Sequence, residues 1–280
     1  PRLRQAAGRP PASAPTITGR MLEEGRFGEG RLRLMPVGVI ADAAGEALVY
    51  PVDKGSGATT SLVEADGVVA VPATTAYVAT DERVEVELFD SDWVMPSVLV
   101  AGEPDPVVTD LLADLRAPRF LAVGAREGLR RLRRGITDAA VVTADGEGVG
   151  RAGGSLTRRW GAYTQTVAPL SVQDALADPD AAVMTVDQRY GLHATIEAWV
   201  DDPDRWRGVH TAPGLYSPIQ AVRRGDVAVG LTTATDAPAS VSFTPLGSDE
   251  LQIRLNPDRE AKAGISRLQS ALEAVTPDSA

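Results

Sequence analysis

The chain has 280 residues, enough for about two domains, and 44 % of them are hydrophobic, which provides material for real cores. No run of about 18 apolar residues offers a membrane span, and a net charge of −10 argues against general nucleic-acid binding. The absence of cysteine excludes disulfides, thiolate metal sites and cysteine nucleophiles, and it fits a cytoplasmic protein.

The basic residues are almost all arginine, since Lys54 and Lys262 are the two lysines. With abundant Asp and Ala, this bias indicates a GC-rich genome. A halophile with an acidic proteome and codon bias alone explain it equally well. The N-terminus has no apolar core of a signal peptide, and its first residue is Pro1 rather than Met, which suggests a piece of a longer protein.

The first part of the chain predicts a small all-β domain, a barrel or a sandwich. Short apolar or alternating runs are separated by turn residues about every ten positions. The five predicted strands are 16–22, 31–40, 46–51, 68–71 and 84–89.

The segment 54–72 combines three signals that favour a functional loop. Gly55-Ser56-Gly57 is a turn, Ser61 lies in a short helical turn, and Asp66-Gly67 leads into an apolar run that ends at Pro72. Backbone N–H groups and hydroxyls in such a loop can hold an anionic group. A plain structural turn is the alternative.

The same segment resembles the "GSG…SL…ADG…(V/I)P" core of the C-terminal domain (domain IV) of MoeA-type molybdopterin molybdotransferases. Three flanking segments agree with that domain in order and spacing: 1–8, 31–37 and 82–88. The resemblance covers roughly residues 1–92.

This resemblance implies a role in molybdenum-cofactor biosynthesis. MoeA-type enzymes are transferases that insert molybdate into adenylylated molybdopterin in a cleft at a dimer interface, so it also implies a homodimer. The acidic Mg²⁺-binding residues of the family lie in a preceding domain, and the fragment should therefore be inactive alone. The residues expected on the molybdopterin side of the cleft are Lys54, Gly55, Ser56, Gly57 and Ser61.

The pattern changes near residues 90–92, after which strands and helices alternate over 93–280. This alternation predicts an α/β domain with an open parallel sheet. The predicted strands are 97–101, 119–123, 139–144, 183–186, 227–231, 240–245 and 251–255. The predicted helices are 104–115, 124–135, 171–176, 218–224 and 258–275.

Four segments of this second part resemble periplasmic-binding-protein-like (substrate-binding) domains: 123–129, 188–192, 225–231 and 241–246. Such domains bind small oxyanions or effectors between two lobes. Helix N-termini and hydroxyls supply the fixed dipoles that hold the anion. The resemblance places the ligand at strand-to-helix turns, at Gly102, Gly124, Arg126 and Ser217.

Two departures from that family bear on the ligand. Glu103 stands where Ser, Asp or His is usual, and a carboxylate aimed at an oxyanion would repel it. The turn at Gly124 lacks the usual Ser, for which Arg126 can compensate as a charged donor. Molybdate or tungstate, a different small effector, and a ligand-free structural role are therefore all retained.

Other chemistries have little support in the sequence. His193 and His210 are the two histidines and are expected to be structural or exposed. No G-x-S-x-G elbow or P-loop is present. The basic run 130–134 is interpreted as the solvated face of a helix. The predicted function is a C-terminal part of a MoeA-type protein with an appended ligand-binding domain; the alternatives are an oxyanion or effector sensor and a dimerisation module.

Overall fold

A computed structural model describes residues 14–28, 30–52, 65–143, 149–167, 171–200 and 208–275. The chain divides into two units, Pro1–Val98 and Leu99–Ala280.

The first unit is a closed five-stranded barrel in the order β1-β4-β3-β5-β7, with a small two-stranded ribbon of β2 and β6 beside it. The predicted small all-β domain is therefore confirmed as a barrel. Its strands are β1 Thr16–Met21, β2 Gly25–Arg26, β3 Arg33–Ala41, β4 Ala47–Pro51, β5 Gly67–Val71, β6 Tyr77–Val78 and β7 Arg83–Leu88.

Alternation of apolar and polar residues fills the barrel interior. In β7 every second residue is buried, with Val84, Val86 and Leu88 inside and Glu85 and Glu87 outside. Valine and methionine side chains of the other strands complete this core, and two later residues, Trp93 and Met95, pack against it.

Asp66 joins three parts of the barrel. Its side chain is 4 % exposed. One carboxylate oxygen accepts a hydrogen bond from the Val39 amide at 2.7 Å, and the other accepts one from Trp93 Nε1 at 2.6 Å. The Asp66 amide donates to the Val37 carbonyl at 2.8 Å. The Asp of the "ADG" motif is thus a structural residue that fixes the start of β5.

The second unit is an eight-stranded mixed sheet, ordered β13-β12-β14-β11-β15-β10-β8-β9, with helices packed on it. Its strands are β8 Val98–Gly102, β9 Pro118–Ala122, β10 Ala139–Thr143, β11 Arg151–Gln165, β12 Ala182–Val186, β13 Gly208–Ala212, β14 Val229–Thr233 and β15 Val241–Leu255. Its α-helices are α1 Pro106–Ala113, α2 Ala125–Arg133, α3 Val172–Ala177, α4 Gly191–Trp199, α5 Ser217–Arg224 and α6 Ala263–Val275.

Two long antiparallel strands, β11 and β15, pair over their whole length and divide the sheet into two lobes. The first lobe contains β8–β10 with α1 and α2, and the second contains β12–β14 with α3–α5. Each lobe has the same strand order, β9-β8-β10 and β13-β12-β14. This is the two-lobed α/β arrangement that the periplasmic-binding-protein-like resemblance implies.

Most elements of the second unit agree with the sequence prediction. The apolar face of α1 is buried, with Leu111 at 3 % and Leu112 at 6 % exposure. The Ser171 hydroxyl caps α3 by accepting from the Asp174 amide at 3.1 Å. The helix predicted over 258–275 begins at Ala263, and its apolar residues Ile265, Leu268 and Leu272 are buried.

Three predictions are corrected. The sheet is mixed rather than purely parallel, because β11 and β15 run antiparallel to their neighbours. The two strands predicted at 240–245 and 251–255 are one strand, β15, which continues through Pro245 and Gly247 at a register shift opposite Trp160 and Gly161. From its polar, turn-rich composition the segment 201–214 is predicted to contain no strand, but Gly208–Ala212 forms β13.

A buried ion cluster holds the end of β10 that is remote from the cleft. Asp138, which is fully buried, accepts hydrogen bonds from the Leu99 amide at 2.8 Å and from Lys262 Nζ at 2.6 Å, and Arg259 Nη1 lies 3.3 Å away. Burial raises the pKa of Asp138, while the Lys262 charge opposes that rise. The cluster fixes the chain before α6 to the first lobe.

Candidate ligand-binding site

The carboxyl ends of both parallel strand sets point at the middle of the β11–β15 ribbon. The last residue of β10, Thr143, pairs with Leu251, and the last residue of β14, Thr233, pairs with Trp160. Ligands of α/β proteins bind beyond the carboxyl ends of the strands, because helix N-termini and loops gather there. A ligand-binding site is therefore expected in the cleft between the lobes.

A buried charge cluster occupies the centre of this cleft. Arg158 in β11 donates to Glu103, which follows β8, and to both carboxylate oxygens of Asp249 in β15; its Nε lies 2.8 Å from Asp249 Oδ1. The side chains of Arg158 and Glu103 are fully buried, and that of Asp249 is 15 % exposed. Burial alone would lower the pKa of Arg158, but the hydrogen bonds and charges of the two carboxylates raise it, so the guanidinium stays charged.

Glu103 also caps a helix of the opposite lobe. Its Oε2 accepts from the Gly191 amide at 2.6 Å, and its Oε1 accepts from the Leu192 amide at 3.2 Å, at the N-terminus of α4. Thr195 of the same helix donates to Asp249 at 2.9 Å. A helix N-terminus facing the cleft is where an incoming oxyanion would be expected, and here the protein's own carboxylate fills that place.

A second contact between the lobes lies beside the first. Asp105, the N-cap of α1, accepts from the Thr233 hydroxyl at 2.8 Å and from the Val107 amide at 3.1 Å. Burial raises the pKa of Asp105, and the Thr233 hydrogen bond and the Arg158 charge oppose that rise. Glu103 and Asp105 both lie within three residues of the end of β8, so the turn after this strand joins the two lobes.

At two of the predicted ligand positions, Gly102 and Gly124, another backbone segment packs directly against the glycine. Gly102 has φ +142°, and a Cβ there would lie 2.1 Å from the Val141 carbonyl oxygen. Gly124 has φ +81°, and a Cβ there would lie 2.3 Å from the Arg189 carbonyl oxygen of the second lobe. The Gly124 amide is not free for a ligand, because it donates to the Gly102 carbonyl at 2.9 Å.

Arg126, the third predicted position, faces open space. It is exposed in the first turn of α2 and lines a cavity of about 570 Å³ between that helix and residues 188–189 of the second lobe. The cavity lining consists of Val123, Arg126, Glu127, Leu129, Arg130, Arg133, Gln188 and Arg189.

The fourth predicted position, Ser217, is the first residue of α5 and lies after β13. Its amide donates to the Gly214 carbonyl at 3.1 Å, and its hydroxyl has no hydrogen-bond partner among the described residues. It does not line the cavity at Arg126. The residues expected to face molybdopterin, Lys54, Gly55, Ser56, Gly57 and Ser61, lie outside the described residues.

The histidines have no ligand chemistry in the described structure. His193 is buried in α4, with Nδ1 2.8 Å from the Val186 carbonyl and Nε2 3.0 Å from a Glu197 oxygen, whereas His210 is exposed in β13. The described part of the chain contains no cluster of three or more His, Cys, Asp or Glu that would hold a metal ion. Nor does any described helix have the length and apolar character that crossing a membrane requires.

Sequence reasoning missed how the arginines are grouped. Arg130 and Arg133 belong to the run interpreted as a solvated helix face, and Arg189 belongs to the segment 188–192, noted only for its resemblance. The available signal was spacing, because arginines at 126, 130 and 133 share one face of a helix. The approach of Arg189 is a tertiary contact without a local signature.

Comparisons with known proteins agree with part of this picture. Residues 18–89 match the sequence model of the MoeA C-terminal region (domain IV), which corresponds to the barrel. No curated protein is significantly similar to the chain.

Solved structures similar to the chain include OxyR proteins. The regulatory domain of a cysteine variant of OxyR2 from Vibrio vulnificus is 14 % identical with a TM-score of 0.47, over 66 % of this chain and 100 % of that one. A hydrogen-peroxide-bound cysteine variant of OxyR from Corynebacterium glutamicum is 16 % identical with a TM-score of 0.45, over 64 % of this chain and 65 % of that one. These TM-scores lie below 0.5, and the fold of the second unit is therefore assigned from its own strand order and not from these similarities.

Proposed function

We propose that the chain acts in molybdenum-cofactor assembly, as the C-terminal portion of a MoeA-type protein whose barrel faces molybdopterin and whose second unit binds a small ligand. The observation that supports this most strongly is the match of residues 18–89 to the MoeA C-terminal region. The proposal gives this chain a binding role. It leaves Mg²⁺ and the catalytic step to a preceding domain with acidic Mg²⁺-binding residues, as in MoeA-type enzymes.

A binding role for residues 53–64 is supported by the described residues that flank them, Val52 and Asp66. On one side, the Val52 amide donates to the Pro36 carbonyl at 3.0 Å; on the other, the Asp66 amide donates to the Val37 carbonyl at 2.8 Å. Val52 and Asp66 are therefore held side by side on β3. Anchored ends lower the entropy that a binding loop loses when its ligand binds.

A titration with molybdopterin tests this role. Pterin fluorescence would follow binding to the purified chain, to the double variant Ser56→Ala/Ser61→Ala and to the control Ser91→Ala, which changes an exposed serine in the turn after β7. We expect the double variant to bind about tenfold or more weakly, because each lost hydroxyl removes a hydrogen bond of about 1 kcal/mol. Equal affinities for all three proteins would remove the assignment.

A second candidate function is an anion-responsive sensor, favoured by the basic cavity beside Arg126. The sensed anion would be molybdate, tungstate or another small effector. In the cleft itself, an oxyanion would have to displace Glu103 from Arg158 and from the N-terminus of α4. Thermal melting with millimolar molybdate, tungstate and sulfate separates the ligands, since a specific ligand of the folded state raises the melting temperature.

A further inference from the structure

The cavity between α2 and residues 188–189 is lined by more positive than negative side chains. Four arginines line it: Arg126, Arg130, Arg133 and Arg189. Arg130 is 2.7 Å from a Glu127 oxygen.

Arg189 is similarly paired, 3.0 Å from Asp187 Oδ1. Within the described residues, Arg126 and Arg133 have no ion-pair partner. The described lining of the cavity contains four guanidinium groups and one carboxylate, that of Glu127, which is an excess of positive charge on a chain whose net charge is −10. Such a local reversal of sign attracts anions to this cavity.

The arginines are spaced for a ligand with several anionic groups. Arg126, Arg130 and Arg133 follow one another at i, i+4 and i+7 along one face of α2, so their Cα atoms span about 10 Å at a rise of about 1.5 Å per residue. A single tetrahedral oxyanion can touch only part of this row. Guanidinium groups bind phosphoryl oxygens in pairs of parallel hydrogen bonds, which favours phosphate esters as ligands.

The size and the rest of the lining define the ligand further. A volume of about 570 Å³ lies within the range of about 300–1,000 Å³ that is usual for small-molecule sites, and it far exceeds the size of molybdate. Val123 and Leu129 add apolar surface, and the Gln188 side chain adds an amide. These groups suit an organic moiety attached to the phosphates.

We infer that this cavity binds a nucleotide-sized organic phosphate with two or more phosphoryl groups, held by Arg126 and Arg130 of the first lobe and Arg189 of the second. The inference rests on the ligand-binding role proposed for the second unit and names its ligand class. Because Arg189 lies two residues before Gly191, where Glu103 caps α4, the bound phosphate joins the lobes next to their buried contact.

Calorimetric titration of the full chain with ATP, and with inorganic tripolyphosphate, tests the inference. The variants are Arg126→Gln and Arg189→Gln, with Arg223→Gln as the matched control, because Arg223 is also exposed on a helix but lies outside the cavity. We expect ATP to bind with a dissociation constant below about 1 mM. Each site variant should weaken binding by about tenfold or more, since a charge-assisted hydrogen bond is lost, and the control by less than about twofold.

Three results would overturn the inference. They are no binding of ATP to the unchanged chain, equal weakening by the Arg223 control, and undiminished affinity in Arg189→Gln, which would remove the bridging role. Tripolyphosphate binding as tightly as ATP would overturn the part assigned to Val123 and Leu129. If ATP does not bind but molybdopterin does, only this site is refuted. If molybdopterin does not bind but ATP does, only the cofactor role is refuted.

Discussion

Replacing Glu103 with alanine should open an anion site inside the second unit. In the folded protein this carboxylate accepts hydrogen bonds from Arg158 and from the Gly191 and Leu192 amides, and it is fully buried. The variant Glu103→Ala leaves the Arg158 guanidinium with Asp249 as its one carboxylate partner among the described residues. It also leaves the N-terminus of α4 without its cap.

The expected loss of stability follows from these contacts. Removing one partner of a buried ion pair costs about 3–5 kcal/mol. Asp249 still pairs with Arg158 in this variant, but the Gly191 and Leu192 amides also lose their acceptor, so a loss in this range is expected. For a unit of this size, each kcal/mol lowers the melting temperature by about 2–4 °C, so Glu103→Ala should melt about 6–20 °C below the unchanged chain. Glu250→Ala, which removes an exposed glutamate of β15, is the matched control and should change little.

Small anions should restore the lost stability. Formate carries the carboxylate that Glu103 supplied, and at about 100 times its dissociation constant it would return about 2.7 kcal/mol. Melting followed by circular dichroism, in formate and in chloride at equal ionic strength, measures this rescue. The unchanged chain should show no such rise, because Glu103 already occupies the site. A Glu103→Ala variant that melts normally, or a formate effect equal in both proteins, would refute the reasoning.

Three further predictions concern other contacts. Asp66→Ala should lower the unfolding free energy of the barrel by about 2–4 kcal/mol, because a buried acceptor of the Val39 and Trp93 N–H groups is lost; chemical denaturation measures it, and a loss below 1 kcal/mol would contradict the structural role. Gly124→Ala should destabilise the second unit by about 1–3 kcal/mol, since a positive φ is combined with a backbone clash, and an unchanged melting temperature would show that the lobes do not approach so closely there. Burial raises the pKa of Asp105. Between the usual value of about 3.8 and the raised value, the folded protein therefore holds a proton that the unfolded chain has lost. The contribution of this carboxyl group to stability falls as the pH rises through that window. Asp105→Asn should therefore flatten the decline of stability above about pH 4, and an unaltered pH profile would contradict the assignment.

Local patterns were sufficient to predict most of the fold. The alternation of Val84, Val86 and Leu88 with glutamates defines β7 without any tertiary information. The proline-started, leucine-striped segment after residue 104 likewise defines α1. Such signals depend only on residues that are close in sequence, so one amino-acid sequence is sufficient to detect them.

Long-range pairing explains what the sequence did not predict. The strand β15 contains Pro245 and Gly247, which by local rules end a strand, but pairing with β11 carries it through a register shift. The sequence marked Glu103 as a residue that would repel an oxyanion, and that expectation remains a prediction. Its partners, at Arg158 and at the N-terminus of α4, lie 55 and 88 residues further along the chain, so they could not be inferred locally.

The molybdenum content of cofactor made without this chain is the most direct test of its proposed role. The gene segment that encodes residues 18–89 would be deleted in the source organism. Molybdenum and pterin would then be measured together in a molybdoenzyme purified from that strain. A role in cofactor assembly predicts a marked fall in molybdenum per pterin, restored by the unchanged gene but not by one encoding Ser56→Ala/Ser61→Ala. An unchanged ratio in the deletion strain would contradict it.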